Sequence, residues 1–250
     1  MLVTLIDYTG AGSSDPLYAA KLLAYTKNTR LTQGEDTRAR FAAMTWAELE
    51  PELDYISKTL RSSWEFIDFV FEIKDVTRAF THQLVRTRTA SYAQQAQRVV
   101  DMSHFSNEMP ATVQANELAE REWEEVMKRI GEGYAFLQSL GIPNQDCRGV
   151  LPTNVHTNII VKLNLRTFAD LVGKRDNMRA QGEYVDVIRA MKDEGLRAMP
   201  WIKPFLYPER TSTPALDKLL AFLLGDGSPV DKPEVNAALK ELDTLKGIWG

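Results

Sequence analysis

Two stretches of the chain combine basic side chains with neutral hydrogen-bonding side chains. Residues 76–100 contain four arginines and no Asp or Glu, and residues 148–179 contain six basic and two acidic residues. Each stretch therefore carries a net charge of +4, although the whole chain carries −4. Guanidinium groups bind phosphates through paired hydrogen bonds, while amides and hydroxyls recognise sugars and base edges. The pattern predicts a pocket for small phosphorylated ligands, and the competing interpretation is two solvated faces that pair with the acidic remainder.

Several other kinds of chemistry lack the residues that they need. The single cysteine, Cys147, excludes a disulfide framework, a CxxC pair and a thiolate zinc site. No metal centre is expected from His82, His104 and His156, because none stands four residues from another. The motifs of dinucleotide-binding folds, P-loops, serine hydrolases and zinc proteases are missing from the sequence. A lone cysteine is more often a small buried apolar residue than a nucleophile, and we expect this of Cys147.

Neither a targeting segment nor a membrane span is expected. The apolar run Leu2–Ile6 ends at Asp7 and is too short for the core of a secretory signal. No other run approaches the roughly 18 apolar residues of a membrane-spanning helix. The net charge of −4 argues against general binding of nucleic-acid polymers. We therefore expect a cytoplasmic protein whose partners include neither a membrane nor a nucleic-acid polymer.

The predicted strands are few, and helical segments of uneven length separate them. Runs rich in β-branched and aromatic residues predict strands at 2–8, 64–74 and 155–165. Asp75 is expected to cap a helix that runs to about residue 85, and the stop signal at Gly141 is expected to end a long helix. The remaining predicted helices cover 16–27, 35–44, 46–60, 111–139, 166–197 in two pieces, and one or two segments of the last 36 residues. This organisation favours the α+β class over a regular βαβ repeat.

One motif, with matching blocks upstream and downstream of it, carries a resemblance to a known family. The run from Thr81 to Arg98 contains Arg86-Thr87-Arg88 and then Gln94-Gln-Ala-Gln-Arg98. It resembles the signature of the flavin-dependent thymidylate synthases (ThyX), in which Arg-His-Arg precedes Gln/Glu-x-Ser-x-Arg-Tyr. The further matching blocks, in order, are Ser62-Ser-Trp-Glu65, Arg148-Gly-Val-Leu-Pro152, Asn164-Leu-Arg166, and Arg175 with Ala180-Gln181 and Glu183. The resemblance covers roughly residues 55–197 and includes both basic stretches.

The resemblance implies a fold, an assembly and an activity. It implies one catalytic domain over residues 1–250, of the α+β class, with a small mixed or antiparallel sheet flanked by helices and a helical extension over 201–250. It also implies a homotetramer whose subunits share active sites. The implied enzyme is a methyltransferase that acts on C5 of a small-molecule nucleotide, dUMP or UMP. FAD is the implied cofactor, NADPH the reductant and 5,10-methylenetetrahydrofolate the carbon donor, and a UMP-methylating branch of the family serves nucleoside-antibiotic biosynthesis.

The resemblance also implies a role for individual residues. The residues that would hold the nucleotide are Gln83, Leu84, Val85, Arg86, Gln94, Gln95, Ala96, Gln97, Arg98, Arg148 and Arg175. The residues that would line the flavin are Ser62, Arg86, Thr87, Arg88, Gln94, Asn164, Arg166 and Asp170. Arg175 would be the catalytic residue, placed against the uracil so that its charge stabilises C5 as C5 becomes nucleophilic. In an extended segment Arg86 and Arg88 would point the same way, and Thr87 would face elsewhere.

The chain departs from the family pattern at Phe66, Asp170 and Arg179, where the family often has histidine, and at three positions of the signature itself. Thr87 replaces the family histidine, and Thr87 has no group that titrates near neutral pH. Ala96 replaces the family serine, which excludes a serine nucleophile there and leaves room for a ribose 2′-hydroxyl. Val99 replaces the tyrosine. Two alternatives to methylation therefore stay open, namely C5-hydroxymethylation of a pyrimidine nucleotide and binding of flavin or nucleotide without catalysis.

Overall fold

Four antiparallel strands form the sheet on which the functional elements rest. The computed structural model describes residues 1–29, 37–59, 61–176 and 182–207. The strands are β1 (Leu2–Tyr8), β2 (Asp68–Thr77), β3 (Ser91–Gln94) and β4 (His156–Asn164), in the spatial order β1-β2-β4-β3. In the register, Phe71 of the central strand β2 lies between Leu5 of β1 and Val161 of β4.

Helices cover one face of this sheet. The helices are α1 (Tyr18–Asn28), α2 (Thr37–Ala43), α3 (Trp46–Thr59), α4 (Arg78–Leu84), α5 (Ala111–Gln114), α6 (Glu117–Ser139), α7 (Asn144–Cys147), α8 (Leu165–Arg175), α9 (Gly182–Ala198) and α10 (Lys203–Leu206). Alternate residues of the central strands are buried under the helices that contact the sheet most, α4, α8 and α9, because side chains along a strand point to opposite faces. Phe168 of α8 packs on Phe69 and Phe71 of β2, with ring centroids 5.2 and 5.4 Å apart.

Gly195 allows α9 to approach α8 closely. A Cβ atom at Gly195 would lie 3.0 Å from Cε1 of Phe168, which is closer than side-chain carbon atoms normally approach. The Phe168 ring is fully buried and packs on both phenylalanines of β2, so it has little room to move. The close contact between α8 and α9 matters because these two helices carry one wall of the candidate site.

A second, smaller cluster lies beneath the long helix α6. Its buried members are Met102, Tyr134, Cys147 and Val155. Cys147 is fully buried, and its thiol donates to the Ile142 carbonyl oxygen at 3.3 Å. The expectation that this cysteine is a small packing residue is therefore confirmed.

The predicted class and most predicted elements agree with the structure. The α+β class and the small antiparallel sheet flanked by helices are confirmed, and β1 and β4 lie within one residue of their predicted bounds. Strand β2 begins at Asp68 rather than at residue 64, because Arg61–Phe66 form a 3₁₀ helix. Among the described strands, the sequence reading missed only β3. Its four residues are too few and too polar to give an alternating pattern. The strand forms because these residues pair with β4.

The predicted cap of α4 is wrong. Asp75 lies in the left-handed region with φ of 54°, at an irregularity of the β2–β4 register between Ile73 and Val76. The N-cap is Thr77, whose Oγ1 accepts a hydrogen bond from the Phe80 amide at 3.0 Å. Between these pairs β2 advances three residues while β4 advances two, so the bulge inserts one extra residue, and β2 continues to Thr77 before the helix begins.

The described residues up to Tyr207 form one compact unit. Pro200–Ile202 form a 3₁₀ helix that leads into α10, and residues 208–250 of the predicted C-terminal extension lie outside the described residues. The assignment of residues 1–250 to a single catalytic domain stays a prediction. Across the described ranges, every helix is either too short or too polar to pass through a lipid bilayer.

Candidate active site

A polar cleft lies between the turn that follows α4, the length of α8 and the first turn of α9. Its volume is about 320 Å³, within the range of small-molecule sites. The residues that line it are Gln83, Arg86, Thr87, Arg88, Thr89, Thr167, Asp170, Leu171, Lys174, Arg175 and Tyr184. Six of them carry roles implied by the family resemblance: Gln83, Arg86, Thr87, Arg88, Asp170 and Arg175.

The start of α9 holds α4 in place. The Glu183 carboxylate accepts hydrogen bonds from the backbone amide of Thr77 at 2.8 Å and from the Thr77 hydroxyl at 2.5 Å. The next residue, Tyr184, packs edge-to-face against Phe80 of α4, with ring centroids 5.0 Å apart. A charge-assisted pair and an aromatic pair therefore join these helices next to the cleft.

The Arg86-Thr87-Arg88 triplet lies in a turn, so the expected extended segment is wrong. The Arg86 amide donates to the Gln83 carbonyl at 3.2 Å, and the Thr87 amide donates to the Leu84 carbonyl at 3.0 Å. The Tyr92 hydroxyl is 2.8 Å from the Leu84 carbonyl oxygen and 2.9 Å from that of Thr87. Because the backbone turns here, all three residues of the triplet line the cleft.

Helix α8 carries the other wall. Its N-cap is Asn164, whose side-chain oxygen accepts from the Thr167 amide at 2.9 Å. Thr167 also bonds to Thr89 across the cleft, with 3.0 Å between the hydroxyl oxygens. Arg175 ends the helix, and its guanidinium lies over the Tyr184 ring, 4.6 Å from the ring centroid.

Asp176 fixes the end of α8 just after Arg175. Its carboxylate bonds Lys192 at 2.5 Å and Arg189 at 2.9 Å, both from α9. Hydrogen bonding to Lys192 and then to Arg189 lowers the pKa of Asp176 below its usual range. This ionised carboxylate ties the two helices together at the cleft wall.

The cleft has an excess of positive charge. Four of its described lining residues are cationic, and Asp170 is the one carboxylate among them. Asp170 already pairs with Arg61 at 2.5 Å. Arg86 and Arg88 form no ion pair with any residue in the described ranges. Unpaired guanidinium groups beside threonine hydroxyls suit an anionic, phosphate-bearing ligand.

Three other residues expected at the flavin lie on the flank of α8. Asn164 acts as the helix cap, and Arg166 is exposed and pairs with Glu65 at 2.7 Å. Ser62 is exposed in the 3₁₀ helix, next to the Arg61 that pairs with Asp170. The structure therefore brings the Ser62–Glu65 block to the same side of the fold as α8.

The expected nucleotide residues 94–98 and Arg148 do not line this cleft within one chain. Gln94 ends β3, and its side-chain amide donates to the Thr81 hydroxyl at 2.8 Å. Arg148 belongs to the 3₁₀ helix Arg148–Val150. Burial, and after it the charge of Arg148, lowers the pKa of Arg78, which begins α4. Arg86 follows the opposite end of α4, whose seven residues span about 10 Å.

The side chains of Gln95, Ala96, Gln97 and Arg98 also lie apart from the cleft, and so do those of Leu84 and Val85. Leu84 is fully buried in the core, so only its backbone carbonyl is near the turn. Val85 is exposed. Ala96 is exposed too, and its carbonyl accepts from the amides of Val99 and Val100 at 3.2 Å in a tight turn.

The cleft contains no thiol and no histidine among its described residues. Cys147, the one cysteine of the chain, is buried in the cluster beneath α6. In the ranges that the structure describes, no three His, Cys, Asp or Glu residues come together in a way that would hold a metal ion. The groups that remain for chemistry are guanidinium, ammonium, hydroxyl and amide groups and the Asp170 carboxylate, which orient and polarise a ligand.

Sequence reasoning missed Tyr184, the aromatic residue of the cleft. It follows the Gln181-x-Glu183 block directly, but nothing in its neighbours distinguishes it from a core residue of an amphipathic helix. It is indeed buried, and only its position across from the end of α8 brings it to Arg175. Thr89, Thr167, Leu171 and Lys174 were likewise assigned no role from the sequence, because only the meeting of the turn after α4 with α8 brings them to the cleft.

The chain is similar to known proteins over most of its length. A family model described as "Thymidylate synthase complementing protein" matches residues 4–201. The flavin-dependent thymidylate synthase of Nitratidesulfovibrio vulgaris is 35% identical over 68% of this chain and 75% of that protein. That of Geobacter sulfurreducens is 38% identical over 59% of this chain and 62% of that protein. That of Pyrococcus furiosus is 32% identical over 77% of this chain and 78% of that protein.

Proposed function

The chain belongs to the thymidylate synthase complementing protein family, and we propose that it methylates C5 of a uridylate in a flavin-dependent reaction. The observation that carries this proposal is the cleft in which Arg86, Arg88 and Arg175 converge from two remote stretches of sequence. The basic stretches are therefore not simply two solvated faces that pair with acidic residues. The relatives are named for thymidylate synthesis, which makes dUMP the first substrate to test.

FAD is the cofactor that the family implies, and the residues of the cleft fit a ligand of its chemistry. The guanidinium groups of Arg86 and Arg88, which form no ion pair with any described residue, suit its phosphates, and the Thr87, Thr89 and Thr167 hydroxyls suit its polar groups. When bound and reduced, the flavin would take part in one-carbon transfer and supply hydride. The absence of a thiol from the described cleft residues accords with chemistry that needs no cysteine nucleophile.

Arg175 is the residue to which we assign transition-state stabilisation. Its guanidinium presents several N–H donors in a fixed plane, which matches a uracil carbonyl that gains negative charge as C5 becomes nucleophilic. The Tyr184 ring lies against it, and Asp176 anchors the following residue to α9. A donor held in this way needs little rearrangement when the charge develops.

We further propose 5,10-methylenetetrahydrofolate as the carbon donor and NADPH as the reductant. The methyl group of the product requires both a one-carbon unit and a reducing equivalent, and the described cleft residues supply neither. The protein's own contribution is therefore to bind, orient and polarise. This division of labour is consistent with the hydroxyl and guanidinium groups of the cleft.

The assembly that we propose is a homotetramer with shared active sites. Within one chain, residues 94–98 and Arg148 do not line the cleft that holds Arg86 and Arg175. Both groups suit the phosphate or base of one nucleotide, so a second copy of the chain would have to bring the missing group to the cleft. Crosslinking or light scattering of the purified protein tests this assembly.

UMP is the second candidate substrate, and one observation favours it. Ala96 stands in an exposed turn and lacks the hydroxyl of the family serine, so it leaves room beside the nucleotide. A ribose 2′-hydroxyl needs that room. A protein that uses UMP would supply a specialised product, such as a nucleoside antibiotic, instead of a DNA precursor.

The test is a reaction with FAD, NADPH and 5,10-methylenetetrahydrofolate in which dUMP and UMP are offered separately. We expect a yellow protein with absorbance near about 450 nm and a product heavier than its substrate by CH₂. A product heavier by CH₂O would show that the reaction is hydroxymethylation and not methylation. If neither nucleotide changes mass, the proposal is wrong, and a yellow but inactive protein would then be a flavin-binding homologue.

A further inference from the structure

Tyr184 connects the hydrophobic core to the cleft. Its side chain is only 3% exposed, although it lines the cleft at the end of α8. On the core side its ring packs edge-to-face on Phe80, with 5.0 Å between centroids. On the cleft side its face lies against the Arg175 guanidinium, 4.6 Å from the ring centroid. One rigid ring therefore contacts both the buried part of α4 and the arginine expected at the uracil.

The contact with Tyr184 restricts Arg175 in three ways. The negative face of the ring attracts the guanidinium, and this attraction is stronger in a partly desolvated site than in water. The ring itself cannot swing away, because Phe80 and the core hold it. Arg175 has no carboxylate partner among the described residues, and its guanidinium contacts both the face of the Tyr184 ring and the Tyr184 hydroxyl.

The Tyr184 hydroxyl belongs to the same arrangement. Burial raises the pKa of Tyr184, and the charge of Arg175 and hydrogen bonding with Arg175 and Thr87 oppose that rise. The hydroxyl therefore stays protonated near neutral pH and available for hydrogen bonding beside Thr87. Thr87 is the residue that replaces the family histidine, so Tyr184 reaches both the altered triplet and the arginine.

We propose that Tyr184 is a positioning residue, which holds the Arg175 guanidinium against the cleft wall before the nucleotide arrives. The proposal deepens the proposed function and rests on it, since it assigns to Arg175 the stabilisation of charge on the uracil. The physical basis of the proposal is preorganisation. The long, flexible side chain of Arg175 loses its conformational freedom when the protein folds, so this entropy is not lost in the transition state.

The ring and the hydroxyl make separable contributions. Tyr184→Phe keeps the ring between Phe80 and Arg175 and removes only the hydroxyl. Tyr184→Leu removes the ring and frees the guanidinium. If the ring positions Arg175, Tyr184→Leu should lower kcat/KM for the uridylate about ten-fold, mainly through kcat, and Tyr184→Phe should retain most of the activity.

The control is a buried ring that lies away from the cleft. Phe205 is 1% exposed and packs edge-to-face on Trp64 at 5.1 Å, so Phe205→Leu removes a comparable aromatic contact from the core. A merely structural role for Tyr184 would make Tyr184→Leu and Phe205→Leu alike in both stability and kinetics. A positioning role predicts similar losses of thermal stability but a loss of kcat only in Tyr184→Leu.

Chemical labelling tests the position of Arg175 without any substrate. Phenylglyoxal attacks neutral guanidine, so stacking on the ring, which favours the charged form, should slow the reaction. We expect peptide mass spectrometry to detect labelling of Arg175 about five- to ten-fold faster in Tyr184→Leu than in the parent protein or Phe205→Leu. If Tyr184→Leu does not fold, as judged by circular dichroism, Tyr184→Met is used because its flexible side chain fills the same space without a ring.

Equal labelling rates in the parent protein and the ring-less variant would overturn the positioning role, whatever the turnover. A parent protein that turns over neither dUMP nor UMP would overturn the proposed function, and the labelling rates would still decide whether Tyr184 positions Arg175. Faster labelling with unchanged kcat would also overturn the proposal, because the guanidinium would then be oriented without effect on the reaction.

Discussion

Replacing Arg175 by alanine should remove turnover while leaving the flavin bound. The substitution deletes the guanidinium at the end of α8 and its contact with the Tyr184 ring. It leaves Arg86 and Arg88, the two cations of the triplet, in the cleft. Because those residues are expected at the flavin, Arg175→Ala should purify as a yellow protein, with absorbance near about 450 nm.

The size of the effect follows from what the guanidinium contacts. Removal of one preorganised donor from developing charge costs roughly 3–4 kcal/mol, or a 10²- to 10³-fold loss of kcat. The folded state loses only a cation–π contact and a favourable charge at a helix C-terminus, about 1–2 kcal/mol together. Arg175→Lys keeps the charge but loses the planar fork, so we expect it to fall between the parent protein and Arg175→Ala.

The assay combines stopped-time product analysis with a thermal melt of each variant. Arg197→Ala is the matched control, because Arg197 is an exposed arginine of α9 that pairs with Glu194 on its own helix. We expect Arg197→Ala to keep the parent turnover. Turnover by Arg175→Ala at the parent rate would refute the placement of this residue at the uracil. Loss of the flavin together with turnover would refute the division of roles between Arg175 and the triplet.

Three further predictions concern the triplet, the nucleotide pocket and the turn between them. Arg86→Ala should weaken both flavin retention on gel filtration and uridylate binding by calorimetry, because one guanidinium serves both ligands; no effect on either would exclude Arg86 from the site. Ala96→Ser should lower activity with UMP more than with dUMP, since the added hydroxyl occupies the space of a 2′-hydroxyl; an unchanged activity ratio would remove the steric argument. Burial raises the pKa of Tyr92 to about 12 from its usual value near 10, so the folded state favours the protonated phenol. This preference contributes its full free energy to folding below pH 10, and the contribution is lost between about pH 10 and 12. The free energy of unfolding, measured with urea, should therefore decline more steeply over that range in the parent protein than in Tyr92→Phe. Parallel declines would contradict the raised pKa.

The fold could be predicted from the sequence where the pattern was long and periodic. Strand β4 alternates buried and more exposed residues over nine positions, and α8 carries Phe168 and Leu171 on one face, so both were predictable. Strand β3 was not, because only its ladder with β4 makes Ser91–Gln94 a strand. The cap of α4 was predicted at Asp75 but lies at Thr77, because the partner strand decides where a bulge forms.

The candidate site divides in the same way. Charge predicted that the two basic stretches form a pocket for a phosphorylated ligand, the family resemblance singled out Arg86, Arg88 and Arg175, and the structure brings all three to one cleft. The expected alternation of Arg86 and Thr87 was wrong, since hydrogen bonds to the last carbonyls of α4 turn the backbone at that point. The sequence did not show that Arg148 lies away from this cleft within a single chain. The separation of two residues along the chain does not indicate which end of a helix each of them will contact.

By itself, the sequence determined the family, the α+β class and the chemical character of the site. These properties depend on residue type, order and spacing, which the chain carries whether or not it is folded. Only the tertiary structure decided that Tyr184 supports Arg175, that Glu183 holds the start of α4, and that Cys147 is enclosed away from the cleft. Each of these contacts joins elements distant in sequence, and their geometry follows from how the helices pack on the sheet, which no local pattern encodes.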